Sequence, residues 1–226
     1  MKAKMLFRVI LYIIGLNVLA LGTTLFACGQ LGVSSLVSVP QTLSFIIHTT
    51  LGHATTIFFI ILVLIQLIIV RRFELKIVLQ LVLAFVFGWL VDFYGLTVGL
   101  KRIPLNGYAE KIPVTLLAIL CTALGIFMMV KAAFVLIPAD GFVNVISEKL
   151  HKPFGQMKFC FDASMIVITI ILGLVFLHHI TSIGIGTVLA VLFVGQLINL
   201  FNYIVDKTKK LRAIALSFFY YLNLRR

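Results

Sequence analysis

The sequence predicts an all-α polytopic membrane protein. It has about six transmembrane helices as two inverted three-helix repeats, each with a short amphipathic or re-entrant segment. Three observations predict this. Of the 226 residues, 62% are apolar and only 12% are charged, and the mean hydropathy is +1.19. Soluble domains average about 45–50% apolar and about 25% charged residues, so lipid must cover much of this surface. Second, apolar runs of spanning length recur six times along the chain. Third, the first three runs resemble the last three. Ala20-Leu21-Gly22 recurs as Ala123-Leu124-Gly125 and Gly52 as Gly155, both at an offset of 103 residues. After a longer turn the offset is 107, and Gly88-Trp89-Leu90-Val91-Asp92-Phe93 pairs with Gly195-Gln196-Leu197-Ile198-Asn199-Leu200. Three spans is an odd number, so the second copy enters the membrane from the opposite side, which is the plan of many secondary transporters.

The first repeat occupies 1–100, with spans at about 6–28, 53–70 and 77–96. Each is close to the ~17–25 residues that cross a bilayer as a helix. The first span follows Lys2, Lys4 and Arg8 and ends Leu25-Phe26-Ala27-Cys28-Gly29, which resembles a secretory signal with a lipoprotein cleavage box. The run is long for a signal, Phe26 is unusual in such a box, and the run has a repeat partner in the fourth span, so it is read as retained. A connecting loop, 101–112, leads to the second repeat, 113–205, with spans at about 113–135, 158–180 and 184–205. The segments 29–52 and 132–157 are long for connectors, apolar and built alike. Each has a proline (Pro40, Pro138), then a short amphipathic stretch, then the repeated glycine. Val39, Leu43, Ile46 and Ile47 share one helical face in the first; Val143, Ile146 and Leu150 share one in the second. Both are too short to span. They lie flat on each surface, or fold back where protein or water covers their backbone.

The net charge is +12. Lys and Arg lie between or beside the spans, which makes them topology determinants and argues against a nucleic-acid partner. With both termini cytoplasmic, sixteen of the 19 basic residues fall on the cytoplasmic side. The tail, 206–226, joins a basic cluster (Lys207 to Arg212) to Phe218, Phe219, Tyr220 and Tyr221, a composition suited to anionic lipid headgroups. Cys28, Cys121 and Cys160 form no C-x-x-C spacing, so neither a disulfide framework nor a metal site is expected.

Few polar groups fall within the spans, and an ionisable residue there is costly and often functional. Lys158 and Asp162 are four apart, on one face of the fifth span, and form either a switchable ion pair at a cavity or a structural pair near the interface. Asp92 lies near the end of the third span, with Asn199 as its repeat partner. It is a proton or cation site, or an acid close enough to the surface to be hydrated. Lys131 ends the fourth span, where it meets an anion or snorkels. Gly184 and Gly186 open the sixth span; exposed N–H groups there hold an anion, or the glycines serve tight turning and close packing. His178 and His179 point in different directions on a helix end, which disfavours a shared metal. Gln66, Gln80, Gln196, Asn17 and Asn202 bridge helices or line a path. No H-E-x-x-H, G-x-S-x-G or Walker loop is present, so no enzyme and no cofactor is expected.

Gly184-Ile185-Gly186-Thr187-Val188-Leu189, followed by Val194-Gly195-Gln196-Leu197-Ile198-Asn199-Leu200-Phe201, resembles the G-x-G-T…G-x-x-I-x-x-F ending of the YczE/YyaS/YitT group of bacterial membrane proteins. Leu21-Gly22 with Leu31-Gly32-Val33-Ser34 is similar to that group's first-repeat opening, where a proline commonly follows the serine; Ser35 stands there in this chain. The resemblance covers about residues 10–205. It implies a bacterial cytoplasmic membrane protein of the shorter YczE-like branch, and it places Lys158 and Asp162 where the group carries a basic and an acidic residue. It implies no substrate. The sequence therefore leads to a small-molecule or ion permease with a site between the repeats, formed by Asp162, Lys158 and Asp92. The alternative is an accessory protein of a synthesis or export system without transport. A homodimer is compatible with either.

Overall fold

The computed structural model describes residues 2–223 apart from positions 73 and 181, and side chains from residue 5 to 208. Eight helices follow one another: α1 (Lys2–Gly29), α2 (Ser35–Ile46), α3 (Leu51–Val70), α4 (Leu75–Asp92), α5 (Tyr108–Ala132), α6 (Pro138–Leu150), α7 (Phe154–Leu172) and α8 (Ile185–Asn223). No strand occurs among the described residues. Six helices are long and apolar enough to cross a membrane, and α4 and α7 are extended by π-helical turns at Phe93–Thr97 and Gly173–Leu177. These are the six predicted spans, with two shifted starts. α5 begins at Tyr108 and carries Pro113 within its second turn, and α7 begins at Phe154. The sixth span, Ile185–Thr208, belongs to a helix whose backbone continues to Asn223. The side chains of the basic and aromatic cluster from Lys209 onward lie outside the described residues.

The bundle is built on α1 and α5, which run antiparallel in close contact. Gly15, Gly22 and Gly29 recur every seventh residue on α1 and face α5. A Cβ at Gly22 would lie 2.7 Å from Thr122 Oγ1, and one at Gly125 would lie 2.6 Å from the Leu19 amide. Lipid tails are as apolar as leucine, so helices in a bilayer associate through such close backbone approach. The pair is tied at both ends. Arg8 Nε donates to the Ala132 carbonyl at 2.8 Å, and its Nη2 to Ala133 at 2.9 Å. At the other end Lys111 Nζ donates to Gln30 Oε1 at 3.0 Å. We refer below to the Gly29 end and the Ala132 end of the bundle.

The order long, short, long, long occurs twice. Left-handed residues close α1, the turn after α2, and α3 at Gln30, His48 and Arg71; they recur at Ala133, His151 and His178, at spacings of 103, 103 and 107 residues. Those are the offsets found in the sequence.

The short helices differ from the expectation of amphipathic surface segments. α2 is wrapped by protein along nearly its whole length, which removes the flat-lying alternative for it. It buries apolar and hydroxyl-bearing residues alike: Leu36, Val37, Val39, Ser38, Thr42 and Ser44 are all buried, while Phe45 and Ile47 at its end are exposed. Thr169 Oγ1 donates to Ser38 Oγ at 2.9 Å and Thr42 Oγ1 to Ser182 Oγ at 2.7 Å, so these polar atoms find partners inside the bundle. In an apolar solvent hydroxyls must find their partners within the protein. α6 buries a stripe of mostly small residues (Pro138, Ala139, Gly141, Val143, Ser147) and leaves Leu150 exposed, so its apolar face is rotated from the predicted one.

Candidate functional site

α7 enters the bundle at the Ala132 end and places Lys158 and Asp162 one turn apart. α6 opposes them: Pro138 at its start fixes the entry of the chain, which sets Asp140 in the first turn. Lys158 Nζ lies 3.1 Å from Asp140 Oδ1 and 3.2 Å from Asp162 Oδ1. The lysine also stands over the Phe161 ring, and the Ser35 hydroxyl interacts with Asp162. The side chains are 29%, 15% and 21% exposed for Lys158, Asp140 and Asp162, so the cluster is shielded but not sealed. Two carboxylates and one ammonium leave one negative charge in excess.

The cluster lines a cavity of about 330 Å³. The start of α2 (Ser34, Ser35), α5 (Thr122, Ile126, Val130) and α8 (Val191, Val194, Ile198) complete its walls. The cavity exists because α7 and α8 stand apart. Gly155 on α7 and Gly195 on α8 have nothing within 4 Å of the place a Cβ would occupy. Their counterparts in the first half are in tight contact: a Cβ at Gly52 would meet the Gly88 carbonyl and the Asp92 carboxylate. Thr56 Oγ1 reaches across the same crossing to the Ala84 carbonyl at 3.2 Å. Burial follows the same division. In α3 and α4, 39% of each span is buried, against 22% in α7 and 6% in α8.

A second cavity of about 520 Å³ opens at the Ala132 end, between Phe134–Leu136 and the start of α4. At its floor Gln66 Nε2 donates to Gln80 Oε1 at 2.9 Å and to the Pro138 carbonyl at 3.1 Å. At the Gly29 end the matching segments are zipped together. Val33 N donates to the Ser182 carbonyl at 3.0 Å, and Gly186 N to the Leu31 carbonyl at 2.7 Å.

The predicted site residues therefore separate. Lys158 and Asp162 meet as the spacing required and line the cavity. Asp92 stands apart at the Gly29 end, where it accepts from the Thr50 hydroxyl at 2.5 Å and from the Gly52 amide at 2.9 Å, joining the end of α4 to the start of α3. Asn199 is exposed and makes no corresponding contact among the described residues. Lys131 lies over the Phe127 ring at 5.8 Å, away from the cluster. Gly184 and Gly186 sit against Leu31 and Gly32, where their lack of a side chain permits the backbone zipper. The Gly184 and Gly186 amides are engaged by Thr187 Oγ1 and Leu31. Gln66 and Gln80 bridge α3, α4 and α6, as the bridging reading expected. Asp140 was missed. Its signal was an acid two residues after Pro138, at a position whose counterpart 103 residues earlier is Val37.

The model of DUF6198, a family of unknown function, matches residues 6–203, and the chain belongs to that family. No curated protein and no solved structure matches it.

Proposed function

We propose that this DUF6198 member is a small permease of the bacterial cytoplasmic membrane, with both termini cytoplasmic, built as two inverted repeats and held here open to the cytoplasm. The YczE/YyaS/YitT kinship is part of the proposal. One observation carries it: contacts made at the Gly29 end are broken, position for position, at the Ala132 end. Gly52 meets Gly88, whereas Gly155 and Gly195 stand free. Asp92 holds the Gly52 amide, whereas Asn199 is exposed. The zipper of Leu31 and Val33 with Ser182 and Gly186 has no counterpart at the other end, where Phe134 and Leu136, 103 residues on from Leu31 and Val33, line the larger cavity. A protein with two-fold repeats and only one end closed has a second state available, in which the repeats exchange conformations. Rocking of one repeat against the other then alternates access to a site between them. The excess of Lys and Arg beside the Ala132 end supports calling that end cytoplasmic. A substrate would reach the Asp140–Lys158–Asp162 cluster through the gap between α7 and α8.

The exposure of α8 favours a second reading, an accessory protein whose partner fills the gap permanently. Cross-linking separates the two. In a background with Cys28, Cys121 and Cys160 replaced by serine, Gly155→Cys with Gly195→Cys is oxidised in native membranes. The permease reading expects an intramolecular disulfide to accumulate as the gap closes, with none for Gly155→Cys with Gly107→Cys, at opposite ends. Failure of the first pair to cross-link sinks the rocking reading and moves the protein to the accessory class.

A further inference from the structure

We propose that the cleft between α7 and α8 takes a lipophilic organic amine. Its cationic nitrogen meets Asp140 and Asp162, and its apolar body lies along the α5 and α8 walls. This names a substrate class for the permease and rests on that reading for its biological use, though not for binding itself.

Charge is the first argument. With both acids ionised the cluster carries one uncompensated negative charge, an expensive condition at membrane depth, and a cation relieves it. Three further cations at this end are engaged elsewhere. Arg8 is bound to the Ala132 and Ala133 carbonyls, Lys149 donates to the Ile69 carbonyl, and Lys131 lies over Phe127. An anion is disfavoured, because the single ammonium of Lys158 is already flanked by two carboxylates.

The walls make the second. Ile126 and Val130 face Val191, Val194 and Ile198 across the cleft. A bare metal ion or proton has no use for this apolar surface. A volume of about 330 Å³ falls within the ~300–1,000 Å³ typical of small-molecule sites. Since α7 and α8 are separated, the cleft opens sideways, where an amphipathic amine concentrates in the lipid.

The repeat supplies a control. The positions equivalent to Asp140, Lys158 and Asp162 are Val37, Thr55 and Phe59, all buried and uncharged. The first half closes without ions there.

The test uses the full chain in lipid nanodiscs and three tritiated probes sharing one skeleton: 2-phenylethylamine, 2-phenylethanol and phenylacetate. Empty nanodiscs correct for partitioning. The amine is expected to bind saturably, and the alcohol and acid at least about tenfold more weakly. Asp140→Asn and Asp162→Asn each weaken the amine about tenfold, whereas Lys158→Gln, which leaves two carboxylates unopposed, tightens it. Val194→Trp fills the cleft from the exposed helix without touching the charges and abolishes binding even if the charge variants fail to fold. Equal binding of the alcohol or acid, or amine binding indifferent to Val194→Trp, overturns the proposal. Amine binding without the Gly155–Gly195 cross-link keeps the proposal and sinks the permease reading; the cross-link without amine binding does the reverse.

Discussion

The α3–α4 pair and the α7–α8 pair are written with the same glycines, yet one is shut and the other open. In the first, Gly52 and Gly88 bring two backbones into contact, and Asp92 bonds across the join. In the second, Gly155 and Gly195 face empty space and Asn199 is exposed. The difference teaches that these glycines encode the option of contact rather than contact itself. On the permease proposal, which pair is closed depends on the state of the bundle. The surroundings have diverged accordingly: the closed half buries Val37, Thr55 and Phe59 where the open half carries Asp140, Lys158 and Asp162.

Three sets of substitutions break or sharpen this comparison, each read as the unfolding midpoint of the purified protein in detergent. The largest effect is expected at the closed crossing. Gly52→Ala and Gly88→Ala drive a methyl into a backbone carbonyl and cost about 3 kcal/mol each, at the upper end for overpacking. Gly155→Ala and Gly195→Ala meet nothing and stay within about 0.5 kcal/mol of the parent. Equal losses in the two pairs would mean that the halves are closed alike in solution. Next, Asp92→Ala removes the acceptor of two hydrogen bonds and costs about 2 kcal/mol, while Asn199→Ala is silent. The smallest effect belongs to the graft Asp140→Val with Lys158→Thr and Asp162→Phe, which copies the first half into the second. Replacing a shielded ion cluster by apolar residues of suitable size is often neutral or stabilising. The stability derived from that midpoint is therefore expected to hold or rise by about 1 kcal/mol, while amine binding disappears. A collapse of the fold would assign the cluster a structural role.

Much of this was legible in the sequence, and the remainder failed for physical reasons. Hydropathy located the six spans because a bilayer imposes length and apolarity together. The recurrence of Gly52 and Gly88 at Gly155 and Gly195 gave the offsets of 103 and 107 residues, and the spacing of Lys158 and Asp162 gave their contact. What the pattern could not give was the conformational state, because a glycine pair reads the same whether touching or parted. The burial of α2 was also hidden. Its apolar pattern fitted a surface segment and a re-entrant one equally, and the partners that Ser38 and Thr42 find on Thr169 and Ser182 lie more than a hundred residues away in the chain. Asp140 escaped notice because the first copy offers only Val37 at its place, and a search by symmetry passes over the residue that breaks it.

The pairing of α1 with α5 sets the order of assembly. Arg8 and Ala132 are 124 residues apart in the chain yet bonded in the fold. A ribosome delivers α1 first, and its groove at Gly15, Gly22 and Gly29 has no mate until α5 has been synthesised. For that interval the first helix waits in the bilayer with its seam uncovered, exposed to quality-control proteases and to wrong partners. Lesions along Thr115, Thr122 and Gly125 should therefore surface as loss of newly made chain during biogenesis, even though the damaged helix is the fifth to emerge.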